Sequence, residues 1–325
     1  MPMLCFARQL ATRRVFSTSF PRYHENPLGL PRNNVSQPPQ MPRRGGIQKR
    51  PIPHVKRVIA VASGKGGVGK STVAVNLAFA LSTLRLRVGV LDLDIFGPSI
   101  PTLMGLQASE EPFLTPDGAI IPLMNHGMPT MSMGFLLPRQ PDSGSTNDTP
   151  VVWRGLMVQK AVQQLLFDVD WRNPQGLGLD VLVVDMPPGT GDVPLTLGQL
   201  VIVDGVVIVS TPQDVALADV SKGIAMFRKV SVPITGIVLN QSHFLCPGCD
   251  TKHYLYGPPE GFRGTAARLG VNVLAELPLV PAVSQGGDAG MPYALWSSTR
   301  REGGVGGTEW LQEMNRVAEK LYSPE

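Results

Sequence analysis

Along this chain, short runs of uninterrupted apolar residues alternate with longer stretches whose apolar positions recur every three to four residues. The short runs are Val58–Ala62, Val88–Leu91, Val181–Val184, Gly205–Val209, Ile234–Leu239 and Val273–Leu277. They are rich in β-branched residues and apolar at consecutive positions, the mark of strands covered on both faces in a parallel sheet. The longer stretches are Thr72–Leu84, Met157–Phe167 and Leu217–Val230. In the first, Val73, Leu77 and Leu81 stand four residues apart with Ala74 and Ala78 beside them, which gives one apolar helical face. This alternation predicts an α/β fold: a doubly wound, mostly parallel sheet with helices on both faces, binding ligands at the carboxyl ends of its strands. The pattern starts near Val55, so residues 55–325 are expected to form one domain, without internal repeats. Leu137–Thr149, rich in Pro, Ser, Gly and Asp, interrupts it and reads as an exposed insertion. No run approaches the ~18 apolar residues of a membrane span, so no transmembrane segment is expected.

Charge changes the picture at the N-terminus. The formal net charge is +4. Residues 1–57 hold eleven Lys/Arg and one acid, Glu25, while the remainder holds 18 basic and 24 acidic side chains. The folding part is therefore mildly acidic, which argues against a nucleic-acid surface. Arg8, Arg13, Arg14 and Arg22, with Ser17, Thr18 and Ser19 between them and no acid before Glu25, match an organelle transit peptide. Residues 1–24 are expected to be that address, pointing to the mitochondrial matrix. Residues 25–54, rich in Pro, Asn, Gln and Gly, are expected to be a disordered linker. Three cysteines, one of them Cys5 in the address, do not make an extracellular disulfide framework.

Candidate chemistry begins directly after the first strand. Gly64-Lys65-Gly66-Gly67-Val68-Gly69-Lys70-Ser71, followed by Thr72, satisfies the phosphate-loop pattern between a strand and a helix. Its glycines let successive backbone N–H groups converge on phosphate oxygens at a helix N-terminus. Lys70 is expected to reach the β- and γ-phosphates of ATP and Ser71 to ligate Mg²⁺. The second strand runs into Asp92-Leu93-Asp94, and the third into Asp185-Met186-Pro187-Pro188-Gly189. Asp94 is the candidate for orienting the attacking water, Asp92 for metal support, and Asp185 for holding Mg²⁺ through water. Cys246-Pro247-Gly248-Cys249 brings two thiolates within reach of one soft metal centre, flanked by His243 and His253. The spacing leaves two readings open. One is a zinc site completed by the two histidines. The other is an iron–sulfur cluster, whose four thiolates need two chains related by a two-fold axis.

The whole nonapeptide Gly64–Thr72, with its early Lys65, resembles the deviant Walker A signature. Together with Asp92–Ser99, Met131–Phe135, Val151–Gly155, Val184–Asp192, Ser210–Asp214, Cys246/Cys249 and Asp288–Pro292, it resembles the Mrp-type subfamily of deviant P-loop ATPases (SIMIBI class) over nearly all of Val55–Leu321. With the N-terminal address, the resemblance is to the mitochondrial branch of that family, which carries iron–sulfur clusters to respiratory complex I during its assembly. It implies a homodimer and a [4Fe-4S] cluster bridged by Cys246 and Cys249 of two subunits, delivered to apo iron–sulfur proteins. It also implies Lys65 reaching the partner's nucleotide, and adenine contacts from Asn240 and a loop after Pro278. A slow ATPase used as a switch is the corresponding expectation. One departure from the resemblance is Gln241, where related chains usually have Met after that Asn. A partitioning or positioning ATPase of the ParA/MinD kind shares the loop and both Asp segments but does not need the cysteine pair. Its membrane type uses a basic amphipathic C-terminal helix, whereas Glu309–Leu321 carries three acids and is expected to pack on the domain. The remaining alternative is a zinc-stabilised nucleotide-binding adaptor.

Overall fold

In the computed structural model the described residues are 48–95, 97–136, 155–295 and 305–322. The expected address, most of the linker, the insertion Leu137–Thr149 and residues 151–154 lie outside them.

Every one of the six apolar runs forms a strand: β1 Val55–Ser63, β2 Val88–Asp92, β5 Leu179–Asp185, β6 Gly205–Ser210, β7 Ile234–Leu239 and β10 Val273–Glu276. Two more, β3 Leu123–Asn125 and β4 Met128–Ser132, extend one edge. The sheet order is β10-β7-β6-β1-β5-β2-β4-β3, parallel throughout except that β3 runs antiparallel to β4. β4 was not legible in the sequence because Met128-Pro129-Thr130-Met131-Ser132 has one β-branched residue and a proline that cannot donate to a ladder. A separate two-stranded antiparallel ribbon pairs β8 Phe244–Leu245 with β9 Lys252–His253.

Chain order reverses direction across β1, which lies between β5 and β6. The carboxyl ends of these central strands, at the topological switch point, carry the phosphate loop and the Asp185 turn. The helix α1, Lys70–Thr83, leaves that loop and is buried along nearly its whole length, including Val73, Leu77, Ala78 and Leu81. Such all-round burial is what a helix with apolar residues on every side requires. The C-terminal helix Gly307–Tyr322 covers part of α1 and β10 and buries Trp310, Met314, Val317, Ala318 and Leu321 along one stripe. At about 1.5–3 kcal/mol for each fully buried large side chain, that stripe commits the helix to the domain. Among the described residues no helix is long and apolar enough to cross a membrane.

The domain starts earlier than residue 55. Arg50 N–H donates to the Leu200 carbonyl at 2.9 Å, the Arg50 guanidinium lies 3.5 Å above the Phe167 ring, and Ile52 is buried. A lone isoleucine between two prolines carries no periodicity, so the expected linker could not be told from a packed segment here.

Candidate functional site

The phosphate loop owes its shape to two left-handed glycines. Gly67 has φ +77° and Gly69, the residue before α1, has φ +80°, a region that costs other L-residues about 1–2 kcal/mol. Val68 turns its side chain into the core, while Gly66 and Gly67 are exposed. Gly64 is pressed against the helix Asp214–Lys229: a Cβ there would stand 2.6 Å from the Asp219 backbone. A Cβ at Gly69 would overlap the amide nitrogen of Asn240, whereas one at Gly66 would meet nothing within 4 Å. Gly69→Ala is therefore expected to lose about 2–3 kcal/mol and Gly66→Ala less than about 0.5 kcal/mol, read by chemical unfolding.

Three carboxylates face the loop. Lys70 and Asp185 form a buried ion pair at 2.5 Å, with Asp94 Oδ2 4.0 Å from the same ammonium and Ser71 Oγ 3.1 Å from it. The second Asp185 oxygen is fully buried and has no hydrogen-bond partner among the described residues. Burial pushes the Asp185 carboxyl up and Lys70 opposes that shift. A buried orphan carboxylate oxygen beside a serine hydroxyl and a lysine on a phosphate loop fits Mg²⁺ with nucleotide phosphates. Asp92 differs. Oδ1 accepts the Asp94 N–H at 2.9 Å, and Oδ2 accepts the Ser132 hydroxyl at 2.9 Å and the Ile100 N–H at 3.4 Å. Burial, then repulsion from Asp185, pushes its carboxyl up to about 8. Both of its oxygens are thus committed to the chain that aims Asp94. Ser132, within the Met131–Phe135 piece, is a residue whose part the sequence did not disclose.

Lys65 is tethered within its own chain: its ammonium lies 2.6 Å from Gln213 Oε1, in the Ser210–Asp214 segment. Asn240 follows β7. Its side-chain amide donates to the Val68 carbonyl at 2.9 Å, so it braces the phosphate loop from behind. Gln241 then adopts φ +55°, an uncommon left-handed conformation for a residue other than glycine. Ser242 and His243 are pinned to the strand end at Leu277 and Leu279. Five residues separate Asn240 from Cys246, so one short segment joins the phosphate loop to the cysteine pair.

The cysteines occupy the tip of the β8–β9 ribbon, Cys246 half-buried and Cys249 exposed. The Cys246 carbonyl accepts the N–H groups of Asp250 at 2.8 Å and Cys249 at 3.4 Å, and Asp250 sits at φ +53° to close the turn. Thr251 Oγ1 lies 3.2 Å from Cys249 Sγ and holds that thiol below its usual range. Ligand atoms of Cys246, Cys249 and His253 all lie within 4.8 Å of one another. His243 is not among them: it is buried, hydrogen-bonded to Ser242 at 2.9 Å, with Nε2 3.6 Å from Glu309. The expected zinc set with both histidines is therefore corrected to one containing His253 alone. His243 lies under β8 because Ser242 and Leu279 fix the chain there, a long-range constraint that spacing does not reveal.

Comparison with known proteins shows the family of the chain. A family described as ParA, the NUBPL iron-transfer P-loop NTPase, matches residues 54–308. The mouse protein named iron-sulfur cluster transfer protein NUBPL is 49% identical over 258 residues, covering 79% of this chain and 76% of its own. An Arabidopsis thaliana relative, named iron-sulfur protein required for NADH dehydrogenase, mitochondrial, is 48% identical over 244 residues, covering 75% and 73%. Among solved structures, a nucleotide-binding protein from Archaeoglobus fulgidus in complex with ADP superposes with TM-score 0.60 at 34% identity, covering 73% of this chain and 87% of its own.

Proposed function

This chain belongs to the family of NUBPL iron-transfer P-loop NTPases, and from that premise we propose that it is an ATP-dependent iron–sulfur cluster carrier. The cargo is a [4Fe-4S] cluster held between the Cys246/Cys249 pairs of two subunits and handed to apo iron–sulfur proteins, complex I subunits among them. The mitochondrial matrix is the proposed location, with residues 1–24 as the address. The observation that carries this function is an exposed ribbon tip bearing both cysteines, joined by Asn240–Leu245 to a complete phosphate loop.

Each site residue then has a part. The backbone of Gly64–Thr72 cradles ATP, Lys70 exchanges Asp185 for a phosphate oxygen, and Ser71 and Asp185 hold Mg²⁺. That ion neutralises phosphate charge when bound. Asp94 orients the attacking water. Asp92 supports the metal only indirectly, by bracing the loop that carries Asp94. Lys65, released from Gln213, reaches the partner's nucleotide. Asn240 senses the loop through the Val68 carbonyl and transmits its movement to the ribbon, beside its contact to the base.

Anaerobic reconstitution tests the proposal. About four iron and four sulfide per two chains are expected, with ATP speeding transfer to an apo-acceptor. Purified chain that stays colourless after reconstitution, or transfer indifferent to ATP, would sink it.

A further inference from the structure

We propose that His253 makes the ribbon tip a metal site within a single chain: Cys246, Cys249 and His253 together bind one soft divalent cation such as Zn²⁺, leaving a fourth position open. This rests on the ribbon being the metal-carrying element of the proposed function, but it assigns that element a second, one-chain state.

Strand geometry places the three ligands on one face. Phe244 and His253 are directly opposite in the antiparallel pair, so their side chains share a face. Cys246 lies two residues beyond Phe244 and returns to that face, making it the diagonal neighbour of His253. The turn Pro247–Asp250 then folds Cys249 back toward both. Lys252 alternates to the opposite face, where its ammonium meets Glu309 of the C-terminal helix at 2.9 Å. That ion pair keeps a cation off the ligand face and fixes the direction in which β9 presents His253.

The ligand set matches the chemistry of such a cation. Two thiolates and one imidazole suit Zn²⁺ among the abundant divalent metals. Tetrahedral coordination at Zn–S ~2.3 Å and Zn–N ~2.0–2.1 Å sets neighbouring ligand atoms roughly 3.5–3.8 Å apart. The three groups, within 4.8 Å of one another, need to close by only about 1 Å at an exposed tip. Three protein ligands and one open position describe an exchangeable site, unlike the closed four-ligand sites that staple small domains. Binding displaces the thiol protons. A chain without its cluster thereby keeps its thiolates ligated, and the same two sulfurs must leave the cation before two chains can share a cluster.

The test uses the full metal-free chain under anaerobic conditions, with Co²⁺ as spectroscopic probe and Zn²⁺ competed against a chromophoric chelator. One metal per chain and a spectrum with two thiolate ligands are expected for the wild type. His253→Ala should weaken Zn²⁺ binding at least about tenfold and alter the Co²⁺ ligand-field bands, whereas His243→Gln should do neither. Unchanged affinity and spectrum in His253→Ala, or one metal per two chains with four thiolates, overturns the proposal. Iron and sulfide reconstitution of the same proteins separates the two ideas. A wild type that binds Zn²⁺ through His253 yet never holds a cluster refutes the carrier function and leaves this site standing.

Discussion

Lys70→Ala is expected to cost about 3–5 kcal/mol of stability and to abolish measurable nucleotide binding, because it removes one half of a buried ion pair. Asp185 is fully buried, one of its oxygens lacks a geometric hydrogen-bond partner, and Lys70 donates to the other at 2.5 Å. Without the ammonium, an uncompensated carboxylate remains between β1 and β2, or must take up a proton. The same lysine is the group proposed to meet phosphate, where a charge-assisted hydrogen bond contributes about 1.5–3 kcal/mol. The two effects separate in the double variant Lys70→Met with Asp185→Asn. There the buried charge is gone, so stability should recover most of the loss while nucleotide binding stays absent. Chemical unfolding and calorimetric titration with ATP read the two quantities independently. A Lys70→Ala protein as stable as wild type would contradict the buried pair, and one that binds ATP normally would contradict the phosphate role. A folded double variant should still load a cluster but lose ATP-stimulated transfer.

Cys246→Ala and Cys249→Ala are each expected to eliminate cluster loading while leaving stability within about 0.5 kcal/mol of wild type. The tip is exposed, its turn is held by backbone hydrogen bonds to the Cys246 carbonyl, and neither thiol fills the core. Four thiolates are the usual requirement of a [4Fe-4S] cluster. One substitution leaves two chains with two thiolates between them, so loss should be complete rather than half. ATP affinity should remain within about twofold, since the nucleotide groups are carried by β1, β2 and β5. Iron and sulfide analysis after anaerobic reconstitution, beside ATP titration, checks both halves. Full loading in either single variant would place the cluster elsewhere.

Much of this was written in the chain itself. The six strands β1, β2, β5, β6, β7 and β10 were legible because burial against covering helices forces consecutive apolar, β-branched residues, a local signal. The phosphate loop was legible because its glycines, lysine and serine are contiguous. The C-terminal helix was read as packed rather than membrane-bound from its acids, and its stripe is buried accordingly. What escaped was set by distant parts of the chain. β4 is a strand because β2 offers it an edge, despite Pro129. Asp92 and Asp94, two residues apart and chemically identical, part company only because Ser132 and the backbone at Ile100 claim one of them.

The sequence by itself determined the parallel α/β architecture, the contiguous phosphate-loop pattern Gly64–Thr72 and the closely spaced cysteine pair proposed to bind metal, since each depends on residues adjacent or periodic along the chain. Only the tertiary structure decided which carboxylate meets Lys70, that Asn240 holds the back of the phosphate loop, and that His253 rather than His243 joins the cysteines. Those outcomes depend on strand register and on contacts between residues up to 172 positions apart. One residue of register moves a side chain to the opposite face, and no spacing rule along the chain records it.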